Sequence, residues 1–402
     1  MCMFHIYSCG EKECGLGVKE FFVKKKLTKK KLSDHLIPMK NQLKKKEGTP
    51  SSCESAVLPS KDKMLLEQIK AQTAALNLNN VTRTMAYLNF YLHYPEIHWA
   101  FLGHVVSRNG GWNMTDLKGE LLVKLLNERR REDYFLFLER GNWLIFQDIY
   151  PQFLLYAESV KQNRNLFYLL PYLHVSVFME VVWNDFWNRG DSYTLAIAQV
   201  INEQSYLEKR VVKNPVYQEK VLYTFEFLLQ ELLSFNHILF PYSEPDHEGG
   251  TALVGMTLDY FGSLHERIVL GKHLYRLLFS DQRLWRKVLG WCIAQPHTGS
   301  RKDYWPHLFN DVHEGLPGTI YKRLKKCQLK KGFPRFYSPR LEFAWKNVVQ
   351  EDAEEGDWFN RWDVIYYLEK DHEKKSGDIE DDYCETLENL EFAASAKTAF
   401  SK

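Results

Sequence analysis

Asp259, Glu266 and His273 recur at intervals of seven residues, with His265 one position aside. On a helix this spacing returns each side chain to nearly the same stripe, drifting by about 20° per heptad. Two carboxylates and an imidazole on one face can exchange protons or ligate a cation, so these four residues form the candidate acid/base site. Successive members lie about 10 Å apart along the axis at a rise of ~1.5 Å per residue, too far for one small ion to hold all of them. Another helix would have to complete the site, and Asp148, Glu158, His174, Glu180, Asp185 and His237 are the donors at hand. The plainer reading is solvated charge or an interhelical salt network.

A second constellation is the run Arg108-Asn109-Gly110-Gly111-Trp112-Asn113. Paired glycines let a ligand approach the main chain, Arg108 offers a five-donor fork, and amides ahead of a helix can face an anion. The run therefore predicts an interhelical turn and a candidate ligand-binding loop. It lacks the GxGxxG and GxxxxGK[ST] spacings of nucleotide-binding loops. Its plainer reading is a loop in which Trp112 plugs the core and Arg108 pairs locally. Just ahead of it, His98 falls on an apolar face with Phe101, Leu102 and Val105, and His104 points elsewhere. One helix cannot bring both to a single metal, the HExxH pattern is absent, and both histidines are expected to be satisfied by neighbouring helices.

Basic and aromatic residues interleave from Gln295 to Phe309 and again through Lys322–Lys326 and Lys330–Arg340. Such a mixture could track a phosphate backbone and stack on bases. The surrounding chain is not strongly basic and no nucleic-acid motif is present, so a segment tied onto the body by its rings is the competing account. Cys2, His5, Cys9 and Cys14 do not have the spacing of a zinc knuckle, and no metal is assigned. There is no GxSxG, and Cys292 sits among apolar neighbours five residues from His297. No complete catalytic signature emerges, no cofactor is indicated, and whether the protein is an enzyme stays open.

The elements that must position these residues are helices. Apolar periodicity, caps and breakers predict helices over Ser60–Leu76, Val81–Leu92, from Pro95 to the glycine pair, one or two over Glu128–Gln162 with Gly141-Asn142 and Pro151 as punctuation, and further helices over Leu166–Trp187, Ser192–Arg210, 217–235, 251–279 and 281–294. Alternating β-branched segments are nearly absent, so little sheet is expected. The fold class is all-α: an irregular bundle of about ten helices with disordered or weakly ordered terminal tails. Residues 1–60, with three lysine triplets, form a basic arm; 61–340 form the helical domain, divisible near 240–250; 341–402 form a weakly helical, acidic extension, mobile after about Glu373. Aromatics make up 14% of the chain, which implies a thick core with many boundary rings.

The run from Ala75 to Gly119, ALNLNNVTRTMAYLNFYLHYPEIHWAFLGHVVSRNGGWNMTDLKG, resembles the start of an uncharacterised domain family of Bacillus-type spore-forming bacteria. The resemblance continues through RGNWLIFQDIYPQFLLYAES (140–159) to about residue 340. It implies a bacterial, cytoplasmic protein and supplies no mechanism.

With 53 basic against 51 acidic residues the net charge of +2 selects no partner class. Seven cysteines, no secretory leader pattern and no apolar run of 18 residues predict a cytoplasmic protein with free thiols and no transmembrane segment. The lysines of the arm could bring it to the periphery of an anionic membrane. The expected function is therefore non-catalytic binding of another protein or an anionic membrane surface. The alternatives are an enzyme with an interhelical, metal-dependent or acid/base site, and nucleic-acid binding through 295–340, which is disfavoured.

Overall fold

The computed structural model describes residues 32–48, 58–224, 227, 236–258, 260–315, 322–325, 327–370 and 377–400. Within them the chain is an irregular multi-helix bundle, as the periodicity predicts, and ten helices have ten residues or more. These are α1 (Ile37–Lys46), α2 (Ser60–Leu76), α3 (Asn80–His93), α4 (His98–Asp116), α5 (Glu128–Gln162), α6 (Val177–Arg189), α7 (Ser192–Leu207), α8 (Leu264–Phe279), α9 (Gln282–Ala294) and α10 (Glu380–Phe400). Short side chains set the starts: Asn79 and Thr82 form a reciprocal capping box on α3, and Asn127, Asp191, Ser263 and Asp281 cap α5, α7, α8 and α9. Each cap satisfies amide donors that the first turn leaves open. The long α5 runs unbroken through Gly141 and Pro151. The aromatic share is spent in the core, where Tyr87 meets Trp99 and Phe146 with ring centroids 5.3 Å apart and Phe90 stacks on Phe153 at 4.8 Å.

Several expectations are corrected. The glycine pair is not a turn, because α4 continues through Gly110 and Gly111 to Asp116. A Cβ on Gly111 would lie 2.3 Å from Asn80 Oδ1 and 2.4 Å from His297 Nε2, so glycine is there for close packing inside a helix. The segment 251–279 is not one helix: Thr251–Thr257 is a strand, β2, paired antiparallel with β1 (His237–Ser243), Ser243 opposite Thr251 and His237 opposite Thr257. Most residues of both strands are buried, and an apolar run buried on both faces cannot be told from helix by periodicity. Of the helix expected over 217–235, a single turn at Pro215–Tyr217 and a π-helical turn at Gln218–Leu222 are described; Phe225, Leu228, Leu229, Leu232 and Leu233 lie outside the described residues.

Described stretches near both ends also pack. Leu36, Met39 and Leu43 of the supposed arm are buried against α6. Lys40 and Lys44 lie 4.9 and 4.5 Å from the Trp362 ring centre, and Lys46 Nζ reaches Glu180 at 2.7 Å. The lysines before residue 32 and the candidate ligands Cys2, His5, Cys9 and Cys14 lie outside the described residues. At the other end, α10 replaces the expected mobile acidic tail beyond residue 380. Its Tyr383, Leu387 and Leu390 are buried, and Cys384 forms a disulfide with Cys327, so free thiols throughout are not observed.

The basic-aromatic segment is likewise turned inward. Arg301 donates to Asp116 Oδ2 at 2.7 Å, to Tyr304 Oη at 2.6 Å and to Tyr383 Oη at 2.9 Å. Arg323 donates to Glu391 Oε1 at 3.1 Å and pairs with Glu120. Trp305 donates its indole N–H to the Thr251 carbonyl at 3.1 Å. Buried charges of this kind must be paired, which fixes this long irregular chain to α4 and α10.

Candidate ligand-binding site

Five helices, with Ile238 of β1 and residues of the adjoining loops, line a partly open cavity of about 250 Å³. The side chains facing it recur three or four residues apart, the spacing that puts residues on one helical stripe. They include Arg83 and Tyr87 of α3; Trp99, Leu102, Gly103, Val106, Asn109 and Gly110 of α4; Leu138, Gly141, Asn142 and Ile145 of α5; Val200, Glu203, Gln204 and Leu207 of α7; and Arg267, Leu270, Gly271 and Leu274 of α8. Glycines on three of these stripes explain why the space is not filled. A Cβ at Gly103 would strike the Trp99 ring at 2.5 Å, so that indole lies across the wall, and a Cβ at Gly141 would meet nothing within 4 Å. The lining is largely hydrocarbon, the usual character of a small-molecule site.

The polar groups are few and mostly engaged. Arg83 Nη2 donates to Glu139 Oε2 at 2.5 Å behind the wall, and Arg267 pairs with Glu208 and donates to Gln204 Oε1 at 3.0 Å. Asn109 donates to the carbonyls of Val105 at 3.0 Å and Leu239 at 2.9 Å, and accepts from the Leu239 amide, which ties α4 to β1. Glu203 is the exception. It is the one charged residue in α7, shielded from bulk water yet partly open to the cavity. Burial pushes its carboxyl up to about 8, offset by hydrogen bonds from Gln204 and Trp99 and reinforced by nearby Asp148. That shift favours the protonated acid at neutral pH. Asp148, deeper in the bundle, is held by Gln152 Nε2 at 3.1 Å and Asn202 Nδ2 at 2.5 Å, and burial pushes it up to about 7.

The residues singled out from sequence meet this site unevenly. Asn109 and Gly110 line the cavity, as does Asn113. Arg108, Gly111 and Trp112 face the other way on α4, into a closed polar core. Arg108 Nε donates to His104 Nε2 at 3.0 Å and Arg108 Nη2 to the Gln295 carbonyl at 2.5 Å; Trp112 stands 3.5 Å from Asp303. Because His104 Nε2 accepts from a guanidinium, its proton sits on Nδ1 and is donated to the Thr84 carbonyl at 2.7 Å; burial and Arg108 together hold the ring neutral. His98 is paired with Tyr275 Oη at 2.8 Å, and burial lowers it to about 4.

Of the acid/base candidates, Asp259 lies outside the described residues, His265 meets Tyr367 Oη at 3.0 Å, Glu266 is exposed and His273 is buried in α8. His265, Glu266 and His273 do not line the cavity, because the facing stripe of α8 starts one residue later, at Arg267. Among the described residues, no group of three His, Cys, Asp or Glu side chains could hold a metal ion. Glu203 was missed in the sequence. Its signal was available: a lone acid in the otherwise uncharged helix Ser192–Leu207.

Fold and site together define a helical-bundle protein built around an interhelical pocket. Residues 75–384 match the family described as "Protein of unknown function (DUF2515)", and the chain belongs to that family. It is similar to "Uncharacterized protein YppC" of Bacillus subtilis (strain 168), 41% identical over 239 residues that cover 60% of this chain and 72% of the relative. The resemblance to an uncharacterised Bacillus-type family thus holds, and it reaches past residue 340 to include Tyr383 and Cys384 of α10. No solved structure matches the chain.

Proposed function

We propose that the protein binds a small, predominantly apolar molecule in the cavity lined by α3, α4, α5, α7 and α8, and does so without converting it. The observation that carries this reading is the cavity itself, about 250 Å³ walled mostly by hydrocarbon, with one acid among its few polar groups. An apolar cavity of 150 Å³ holds a benzene ring, so by proportion this one has room for about ten non-hydrogen atoms. The lining contains no cysteine, histidine, lysine or serine–histidine pair among the described residues, which favours binding over covalent or acid/base turnover. The inward pairing of Arg301 and Arg323 weighs against nucleic acid, and the separation of His265, Glu266 and His273 weighs against the acid/base site expected on α8. A protein or anionic-membrane partner remains a second proposal, for the lysine arm outside the described residues.

Eight-carbon probes test the cavity: octanol, octanoate and octylamine, with thermal stability and calorimetric titration as readouts. A ligand at one hundred times its Kd stabilises the native state by about 2.7 kcal/mol. Gly141→Leu fills the open space at Gly141 and replaces a helix glycine with a better helix former, so the variant should stay folded while losing the ligand effect. If no probe stabilises the wild type, or if Gly141→Leu binds as well as wild type, the cavity is not a binding site.

A further inference from the structure

We propose that the groove between α6 and residues 362–369 is a docking surface for a basic amphipathic helix of a partner protein, occupied in cis by α1. None of the groups named below lines the cavity, so this surface stands independently of the ligand-binding proposal.

α1 and the turn ahead of it are held as a bound helix is held. Leu36, Met39 and Leu43, three and four residues apart, make one buried stripe, the pattern by which a helix lies in a groove. The polar contacts of residues 32–48 run to two elements. From the segment after α6, the Glu369 carboxylate accepts from the Ser33 amide at 2.6 Å and from Ser33 Oγ at 2.7 Å, and the Trp362 ring centre lies 4.9 and 4.5 Å from Lys40 and Lys44. From α6, Glu180 accepts from Lys46 Nζ at 2.7 Å, and Arg189 donates to the His35 carbonyl at 3.1 Å. The surface therefore offers, in the order of the bound chain, an acid for a leading serine, an aromatic face for two lysines one turn apart, and an acid for a final lysine. Cations are attracted to such a ring face. An acidic helix would meet two carboxylates and the negative face of an indole.

α1 is attached to the body as a separable occupant. The family match begins at residue 75, so the shared body starts after α1. The charged edge of the contact stays wet: Lys46 and Glu180 keep 38% and 20% of their side-chain exposure, and Trp362 is half-buried. An apolar centre with a polar, accessible rim is the anatomy of an interface between two proteins. Residues 47–59 tether α1 to α2. A short flexible tether supplies an effective concentration of about a millimolar. A helix of micromolar intrinsic affinity thus stays seated in cis, and a partner helix that binds more tightly displaces it.

The test cuts the tether of the folded full chain at a site-specific protease sequence inserted after Pro50, then adds a fluorescein-labelled peptide of residues 33–46. The cut protein should keep its cooperative thermal transition, and the labelled peptide in excess should take the place of the cut fragment. Its affinity for the cut protein should exceed that for the uncut chain by about tenfold or more, because the tethered helix competes. Peptide carrying Lys40→Glu and Lys44→Glu should bind the cut protein about tenfold more weakly, and Glu180→Lys in the body should weaken the unchanged peptide about fivefold. Loss of the thermal transition on cutting would make α1 part of the core and overturn the proposal. So would a cut protein that takes up no peptide, or one that takes the glutamate peptide equally well. If the cut fragment instead leaves for phosphatidylglycerol vesicles and no peptide replaces it, α1 is a membrane anchor and the groove is not a docking surface.

Discussion

Replacing Glu203 with glutamine should flatten the pH dependence of stability in a way that can be worked out beforehand. The ordinary glutamate value is 4.5, and burial in the fold pushes this carboxyl up to about 8. Between those values the native state keeps a proton that the unfolded chain has released. Stability contributed by Glu203 is therefore fully present below pH 4.5 and is lost as pH rises through 8, by about 1.4 kcal/mol per pH unit. Over the whole interval this amounts to about 5 kcal/mol. The groups facing it are Arg83 and Tyr87 on α3, Trp99 on α4, Asp148 on α5, Arg267 on α8 and Gln204 beside it. Asp148 titrates in the same direction and interacts with Glu203, so the difference reports the titration of Glu203 together with its effect on Asp148. Glutamine keeps an oxygen for Gln204 and Trp99 and carries no charge at any pH. Urea unfolding of wild type and Glu203→Gln at pH 5.5, 7.0 and 8.5, at one ionic strength, measures the difference. The variant should gain on wild type by about 1.4 kcal/mol per unit up to pH 8 and then level off. A difference that does not change with pH would refute the assignment of a proton to Glu203 at neutrality.

Three further perturbations test the packing. Gly111→Ala should destabilise by about 2–3 kcal/mol, although alanine is the better helix former, because its methyl would displace the Asn80–His297 hydrogen bond of 2.8 Å; a neutral outcome in thermal unfolding would show that α4 does not approach that pair. Reduction of Cys327–Cys384, or Cys384→Ser, should cost about 4 kcal/mol from the loop of 57 residues it closes; an unfolding midpoint unchanged by reductant would show the bond to be absent or dispensable. Glu391→Gln should cost about 3–5 kcal/mol by leaving the Arg323 guanidinium short of its buried partner. Denaturant curves matching wild type would refute that pairing.

Helices with strong local signals were legible from sequence. The helix expected from near Ser60 to about Leu76 is present, although it starts without a side-chain cap, and α3 and α5 lie close to their expected bounds, because 3.6-residue periodicity is written in adjacent positions. What depends on distant partners was not. Gly110-Gly111 reads as a turn until Asn80 and His297, brought in from two other parts of the chain, require a missing side chain inside a helix. β2 carries a glycine and is mostly buried, so neither alternation nor length separated it from helix, while β1, with its proline, runs into the break expected near 240–250. The candidate site was half legible. The stretch holding Asn109, Gly110 and Asn113 was chosen for the flexibility of its glycines, and it lines the cavity for a different reason, the absence of side-chain bulk. Glu266 and His273 on α8 fall one residue out of phase with the stripe that faces inward. Glu203 has no partner in sequence to reveal it, since its unusual proton affinity comes from walls contributed by other helices.

The pairing of α10 with the 295–340 segment sets an order on events during synthesis. Chains leave the ribosome from the amino terminus, so Arg301, Cys327 and Arg323 emerge well before Tyr383, Cys384 and Glu391. In that interval α3 to α9 can condense around the cavity, while two guanidinium groups destined for the interior wait for a hydroxyl and a carboxylate not yet translated. Docked early, the segment would have Asp116 and Glu120 as the only charge partners of these two groups among the described residues, and would leave the sides of both guanidinium groups that face α10 open. Nascent chains halted before residue 380 should therefore present 295–340 to proteases and chaperones, and only the finished polypeptide can seal that side of the molecule.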